Sequence, residues 1–212
     1  MSNKAEILEQ LILDEPGLLD PPNVHHEFAG GGHGRKLSLK EIDENSQLYK
    51  TLIEAEAETI ATKYDPLPDV LLGMANSANR IAKSTAQELG CGVLSLSTEK
   101  NKFNHVVPTY ASRLILRKLE PNFALIIEDV GTTGKTVAKF IEKLEVRYKI
   151  PKIEALFTWQ RQPELTILNK RNIAYDSLIN HTLKTFKSAK ECQTQLDGYC
   201  ANGVELIERK RR

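Results

Sequence analysis

The chain has 212 residues, 41% of them hydrophobic and 27% charged, and 29 lysines and arginines face 28 aspartates and glutamates for a formal net charge of +1. A chain of that length buries about 70% of the surface its unfolded form exposes, so its core forms without help from disulfides or metal. The balanced charge excludes nucleic acid as a general partner.

The opening stretch repeats Ile7, Leu8, Leu11 and Ile12 at helical spacing and stops at Pro16 and Gly17. Acidic residues run through its apolar face and it has no small-residue cleavage site, so it reads as a helix and not as a signal peptide. No apolar run approaches membrane-spanning length, and the cytoplasm is the expected compartment. "HHEFAGGGHGRKLSL" follows, with Gly30, Gly31, Gly32 and Gly34 around His33, then Arg35 and Lys36. It reads as a loop, either a flexible linker or an anion-contacting turn. A long helix over about residues 45 to 63 comes next, with Leu48, Leu52, Ile53 and Ile60 on one face until "DPLPD" breaks the pattern.

From there strands and helices alternate. "DVLLGMA" reads as a buried strand, "SANRIAKSTAQELG" as a helix ending at Gly90, and "GVLSLS" as a second strand. A polar stretch separates it from the strand "FALIIED". The helix "TGKTVAKFIEKLEVRY" packs Val137, Phe140, Ile141 and Leu144 inward, and "KIEALFTWQ" is the next strand. The pair "PELTILNKR" and "NIAYDSL" completes an α/β alternation that predicts a parallel sheet covered by helices on both faces. "ECQTQLDGYCANGVELI" has the helix-turn-strand look of a structural appendage, and "ERKRR" reads as a solvated tail. Cys91, Cys192 and Cys200 are odd in number and form no C-x-x-C pair, which suits free thiols in a reducing compartment and carries no zinc signature. The chain reads as one domain over residues 1–212, with its core at about 45–180.

In such sheets ligands sit beyond the carboxyl ends of the strands. The segment there with most chemistry is "ALIIEDVGTTGKTV", residues 124–137. Its tail, Gly134-Lys135-Thr136, matches the end of the nucleotide-binding loop G-x-x-x-x-G-K-[ST], but that loop needs glycine where Asp129 stands. Glu128 and Asp129 there would repel a triphosphate. The turn after them instead offers backbone N–H groups and two threonine hydroxyls at a helix amino end, which binds phosphate. The two carboxylates would accept hydrogen bonds from neutral hydroxyls on the same ligand. A phosphorylated sugar meets both demands; the plainer reading is a tight turn whose acids cap the next helix.

"LIIEDVGTTGKT" resembles the phosphoribosyl pyrophosphate motif of the type I phosphoribosyltransferases. The resemblance implies a parallel sheet flanked by helices, with a small hood built from about residues 1–44 and the C-terminal segment. It implies that Glu128 and Asp129 meet the ribose hydroxyls and that Thr132, Thr133, Gly134, Lys135 and Thr136 hold the 5′-phosphate, with Val130 and Gly131 completing the binding stretch. Purine-salvage members carry aspartate at the position of Thr132 as a general acid/base, whereas orotate enzymes characteristically carry threonine. In orotate enzymes the next strand ends in an Asp-Arg pair; here Arg161 matches and Gln160 replaces the acid. Lys36 resembles a lysine that touches the base and the pyrophosphate. The pyrophosphate loop, Ala75, Asn76, Ser77 and Ala78, puts side chains where the family has paired glycines. The mobile catalytic loop retains Lys100, Lys102 and His105 but has Ser97 and Thr98 where its first two cations belong. The resemblance covers about residues 28–180. It implies transfer of ribose 5-phosphate to a nitrogenous base, most readily orotate, with magnesium bound through the substrate and no protein-only metal cage, in a homodimer. Another base, or a protein that senses phosphoribosyl pyrophosphate without reacting it, fits the same residues.

Overall fold

The computed structural model describes residues 3–28, 33–90 and 92–207. Gly30, Gly31, Gly32, Cys91 and the basic tail at 208–212, all singled out above, lie outside the described residues.

Helix α1 (Asn3–Asp14) buries Ala5, Leu8 and Ile12, while Ile7 and Leu11 stay exposed. Its apolar stripe is therefore narrower than the spacing of Ile7, Leu8, Leu11 and Ile12 predicts. The segment expected to be a loop instead forms β1 (Val24–Glu27) and β2 (His33–Gly34), paired antiparallel with Glu27 opposite His33. After a single 3-10 turn at Leu39–Glu41, α2 (Gln47–Lys63) starts where the Ser46 side chain accepts the Tyr49 N–H at 3.1 Å. β3 (Val70–Gly73), α3 (Asn76–Leu89) and β4 (Leu94–Leu96) follow as expected, and Gly90 ends α3 at φ 81°.

The polar stretch holds more structure than its composition suggests. β5 (Thr98–Lys100) and β6 (Val106–Pro108) form an antiparallel hairpin, and α4 (Tyr110–Leu119) is capped by Thr109 accepting from the Ser112 N–H. β7 (Phe123–Gly131), α5 (Lys135–Tyr148), β8 (Lys152–Gln160), α6 (Thr166–Lys170) and β9 (Tyr175–Asn180) complete the alternation. β10 (Thr185–Phe186), α7 (Ala189–Thr194) and β11 (Glu205–Ile207) form the last segment. Among the described residues, no helix is long and apolar enough to cross a membrane.

The main sheet runs β4-β3-β7-β8-β9, all parallel. Alternate residues supply its two cores: Leu71, Leu125, Ile127 and Leu156 face α1, α2 and α3, while Leu72, Ala124, Ile126 and Phe157 face the α5 side with Phe140 and Leu144. Inside the first core lies one carboxyl group, Glu56. Its oxygens accept from the Thr158 hydroxyl at 2.6 Å and the Thr85 hydroxyl at 3.1 Å, and burial pushes it up to about 7. A second sheet, ordered β10-β2-β1-β11, joins N-terminal and C-terminal strands and is the expected hood.

Candidate functional site

β3 connects through α3 to β4 on one side, while β7 connects through α5 to β8 on the other, so the strand order reverses between β3 and β7. That reversal opens a crevice at their carboxyl ends. Gly73, the last residue of β3, pairs with Ile127, yet β7 continues to Gly131. Glu128 and Asp129 thus occupy a stretch of β7 that has outrun its neighbour.

Both carboxylates are in constrained surroundings. Asp129 Oδ2 accepts a short hydrogen bond from the Ser77 hydroxyl, and its Oδ1 accepts the Val130 N–H at 2.8 Å. Glu128 reaches solvent in part, but its Oε2 is buried without a partner. Burial, and then the adjacent Asp129 charge, push its carboxyl well above the usual carboxylate range, while Lys100 opposes them.

The turn beyond is shaped by two glycines. Gly134 sits at φ 72°, and a Cβ there would lie 2.4 Å from Leu168 Cγ; a Cβ on Gly131 would lie 2.6 Å from the Phe157 ring. Gly134 offers α5 no side-chain cap, and among the first N–H groups that of Lys135 reaches the Thr133 hydroxyl only at 3.4 Å, so this end stays open at the turn. Thr132, Thr133, Lys135 and Thr136 are exposed around them. The Ile167 N–H donates to Thr133 O at 3.1 Å and fixes the turn to the first turn of α6. A cavity of about 120 Å³ is lined by Glu128, the 130–137 stretch and Phe157. A larger one, about 530 Å³, lies between the β5–β6 hairpin and α5 and does not include the carboxylates.

The residues expected to form a pyrophosphate loop depart from expectation in their backbone. Ala75 and Asn76 both take positive φ, 56° and 45°, the conformation that glycine would adopt without strain. They are held there by Thr98, whose hydroxyl accepts the Ala75 N–H at 2.8 Å and donates to Gly73 O at 2.6 Å. Asn79 clasps the Thr98 backbone with two bonds, 2.7 Å and 2.9 Å. Asn79 therefore turns away from the cradle, Asn76 points to solvent, and Ala78 is buried in the core. The cradle is less crowded than its side chains predict. Thr98, at a position where the family has a cation, is a buried clamp; neither it nor Asn79 carries a sequence signal for that role.

The remaining predicted residues divide into two groups. Lys100 on β5 bears on Glu128, and His105 lines a cavity with Lys135 and Thr136, so the hairpin sits over the turn. Lys102 lies at the hairpin tip against the Phe103 ring, 5.1 Å from its centroid. Arg161 and Lys36 belong to the hood side. Arg161 is bound at its backbone to Gly131 O, 2.9 Å, but its guanidinium is buried: Nη2 donates to Arg35 O at 2.6 Å, the Phe28 ring lies 4.8 Å away, and Nε has no partner. Burial lowers it to about 10, so it stays charged at neutral pH, and among the described residues it bridges no acid. Gln160 is buried too, its Nε2 donating to Gln162 O and Pro163 O. Lys36 is exposed, and its backbone N–H is held by the Asp20 carboxylate.

Comparison with solved structures places this arrangement. The orotate phosphoribosyltransferase from Aeropyrum pernix is 16% identical with a TM-score of 0.59, over 83% of this chain and 92% of that one. The orotate phosphoribosyltransferase of Mycobacterium tuberculosis H37Rv in complex with 5-phospho-α-D-ribosyl 1-diphosphate is 12% identical with a TM-score of 0.56, over 84% and 88%. Leishmania donovani UMP synthase is 15% identical with a TM-score of 0.62, over 84% of this chain but 36% of that one. At these identities the likeness is one of fold. A search of curated protein sequences finds no match. The family model described as a phosphoribosyl transferase domain matches residues 38–179, from the segment before α2 to the end of β9, and by that match across most of its length the chain belongs to the phosphoribosyl transferase domain family.

Proposed function

We propose that the protein transfers ribose 5-phosphate from phosphoribosyl pyrophosphate to a nitrogenous base, with orotate as the base, releasing pyrophosphate. The observation that carries this reading is the carboxylate pair of β7 beside the uncapped turn of α5. The N–H groups and hydroxyls of 132–136 hold the 5′-phosphate. The buried Oε2 of Glu128 takes a ribose hydroxyl as its missing partner, and Asp129, fixed by Ser77, takes the other. A ring nitrogen of the base forms the bond to C1 as the bond from C1 to the pyrophosphate oxygen breaks, its electron pair leaving with pyrophosphate and the ring N–H proton passing to solvent. Lys100, Lys102 and His105 offset the charge that accumulates there.

The orphaned Glu128 oxygen and the Asp129 carboxylate are hard donors of the kind magnesium uses. Carried in on the pyrophosphate and ribose hydroxyls, the ion would supply further neutralisation of the leaving group. Thr132, in place of an acid, supports a base that needs no proton handling. The solved orotate enzymes of like fold support the same choice. The Arg161 fork, with Nε unpartnered, is the recognition group for a planar carboxylated ring. A second base remains a real alternative because Arg161 Nη2 already serves Arg35 O. We also take the protein to act as a homodimer; exposed Tyr110, Leu114 and Leu119 along α4 offer apolar surface for a partner.

The test is calorimetric titration with phosphoribosyl pyrophosphate and magnesium, followed by pyrophosphate release with orotate, uracil, adenine and guanine. Turnover with orotate is expected, and Asp129→Asn and Thr133→Ala should weaken binding with the fold intact. Binding without turnover on any base would make the protein a sensor; unchanged affinity in both variants would remove the sugar-phosphate reading.

A further inference from the structure

His25, His33, Cys192 and Cys200 converge in the hood, with one ligand atom of each within 4.8 Å of all the others. His25 Nε2 lies 3.2 Å from Cys200 Sγ, His33 Nδ1 lies 3.3 Å from the same sulfur, and the two nitrogens are 3.4 Å apart. Cys192 Sγ accepts the Cys200 N–H at 3.2 Å. His25, His33 and Cys192 are buried, and Cys200 is partly so.

The fold builds this cluster from sequence-distant pieces. The histidines come from the paired strands β1 and β2. The cysteines come from α7 and the tight turn that follows it, in which a Cβ on Gly198 would lie 1.9 Å from Cys192 O. Only glycine lets that turn bring Cys200 back over Cys192. Tyr199 stacks on His25 with ring centroids 5.3 Å apart, and Phe186 meets Tyr199 edge-on at 5.6 Å, so an aromatic wall covers one side.

Hydrogen bonding among these groups is a poor account of the arrangement. His25 Nε2, His33 Nδ1 and Cys200 Sγ form a triangle of near-contacts, and a proton at any corner can point along only one edge. Two hydrogen bonds, from His25 Nε2–H to Sγ and from the thiol to His33 Nδ1, can use at most two of the three edges, and the buried nitrogen–nitrogen edge at 3.4 Å stays unbonded. A single cation that takes one lone pair from each resolves this. Tetrahedral zinc, at about 2.0–2.1 Å from nitrogen and about 2.3 Å from sulfur, needs ligand–ligand edges of roughly 3.3–3.8 Å. The three edges quoted fall at or just below that range, and the longest of 4.8 Å would close by about 1 Å. Two thiolates would offset the charge of a divalent ion, so its burial leaves no net charge.

We propose that His25, His33, Cys192 and Cys200 hold a zinc ion in a closed Cys2His2 tetrahedron that fastens the α7–β11 segment to the β1–β2 ribbon. Four protein ligands leave no open position, so the ion is structural and stands apart from the transfer site. Binding releases the two thiol protons and changes no oxidation state.

The test uses the full chain purified under reducing conditions without chelator. Elemental mass spectrometry should find about one zinc per chain, and cobalt exchanged into the same protein should give intense visible bands with thiolate charge transfer in the near ultraviolet, the mark of a tetrahedral sulfur-containing site. Cys192→Ser and His33→Ala should each lose the stoichiometric metal and lower the melting temperature. The cobalt spectrum of the unaltered chain decides the matter even if a variant fails to fold. A chain that retains neither metal in zinc-replete buffer, a cobalt spectrum without thiolate bands, or a native Cys192–Cys200 disulfide under these conditions would overturn the proposal. None of these readouts depends on phosphoribosyl transfer.

Discussion

Replacing Glu56 by glutamine should remove a pH dependence of stability that the parent protein carries. Glu56 is enclosed by α2, α3 and β8 and has only the Thr85 and Thr158 hydroxyls as partners. In the unfolded chain it titrates near 4.5, and in the folded one near 7. Between those values the unfolded chain has released its proton while the folded one retains it, so stability falls as pH rises and levels off above about 7. At about 1.4 kcal/mol per unit, the window amounts to about 3 kcal/mol. Glutamine keeps the shape, accepts from one threonine through its oxygen and donates to the other through its amide, and never ionises. Urea denaturation at pH 5, 6, 7 and 8, with unchanged m-value, should show the variant close to the parent at pH 5 and more stable at pH 8 by up to that amount. Parallel pH profiles for the two proteins would refute the reasoning, since they would mean that Glu56 ionises in the fold as readily as outside it.

Lys102→Ala should lower kcat by a factor on the order of a hundred with modest change in KM, if hairpin charge acts on leaving pyrophosphate; steady-state pyrophosphate release measures it. Lys100→Ala should weaken magnesium-dependent substrate binding and move its pH profile toward higher pH, because it removes the cation that opposes protonation of Glu128, and calorimetry across a pH series reads this out. Arg161→Lys keeps charge and loses the fork, so KM for orotate should rise strongly while phosphoribosyl pyrophosphate affinity holds. Gly134→Ala should cost about 1–3 kcal/mol from its φ alone, and the clash with Leu168 adds to it. Leu168→Ala removes the clash but also a fully buried side chain, so denaturation of both single variants and the double one is needed, and the coupling between them isolates the clash.

The central alternation was legible because its signals are local: the apolar run 123–127, the helical stripe of Val137, Phe140, Ile141 and Leu144, and glycines at helix ends. The Gly-Thr turn between β7 and α5 was legible for the same reason. The hairpin was not, since "TEK" and "VVP" are three-residue strands whose pairing no periodicity announces. α4 hid because Tyr110, Leu114 and Leu119 remain exposed among Arg113, Arg117 and Lys118, leaving Ser112 and Leu116 as its buried positions. The hood strands are two to four residues long and find their partners far along the chain. Likewise the Cys/His cluster has no knuckle spacing, because its ligands meet across strands and a turn. No sequence signal marks the reciprocal bonds between Asn79, in a segment that reads as helix, and Thr98, in one that reads as a loop.

The pairing of Val24 with Glu205 and of Gly34 with Thr185 gives the hood the longest sequence separations in the molecule's sheets. During synthesis the main sheet's five strands emerge before residues 185–207, so the central layer can assemble while the β1–β2 ribbon still lacks its outer strands, β11 and β10. Contact order makes hood closure the late event in folding. Until then, the β1–β2 ribbon whose flanking residues Phe28 and Arg35 enclose Arg161 is open on both edges, and the nascent chain exposes unpaired strand edges that a chaperone can recognise. Ribosome-bound chains stopped before β10 should therefore have an ordered central sheet and an open Arg161 pocket.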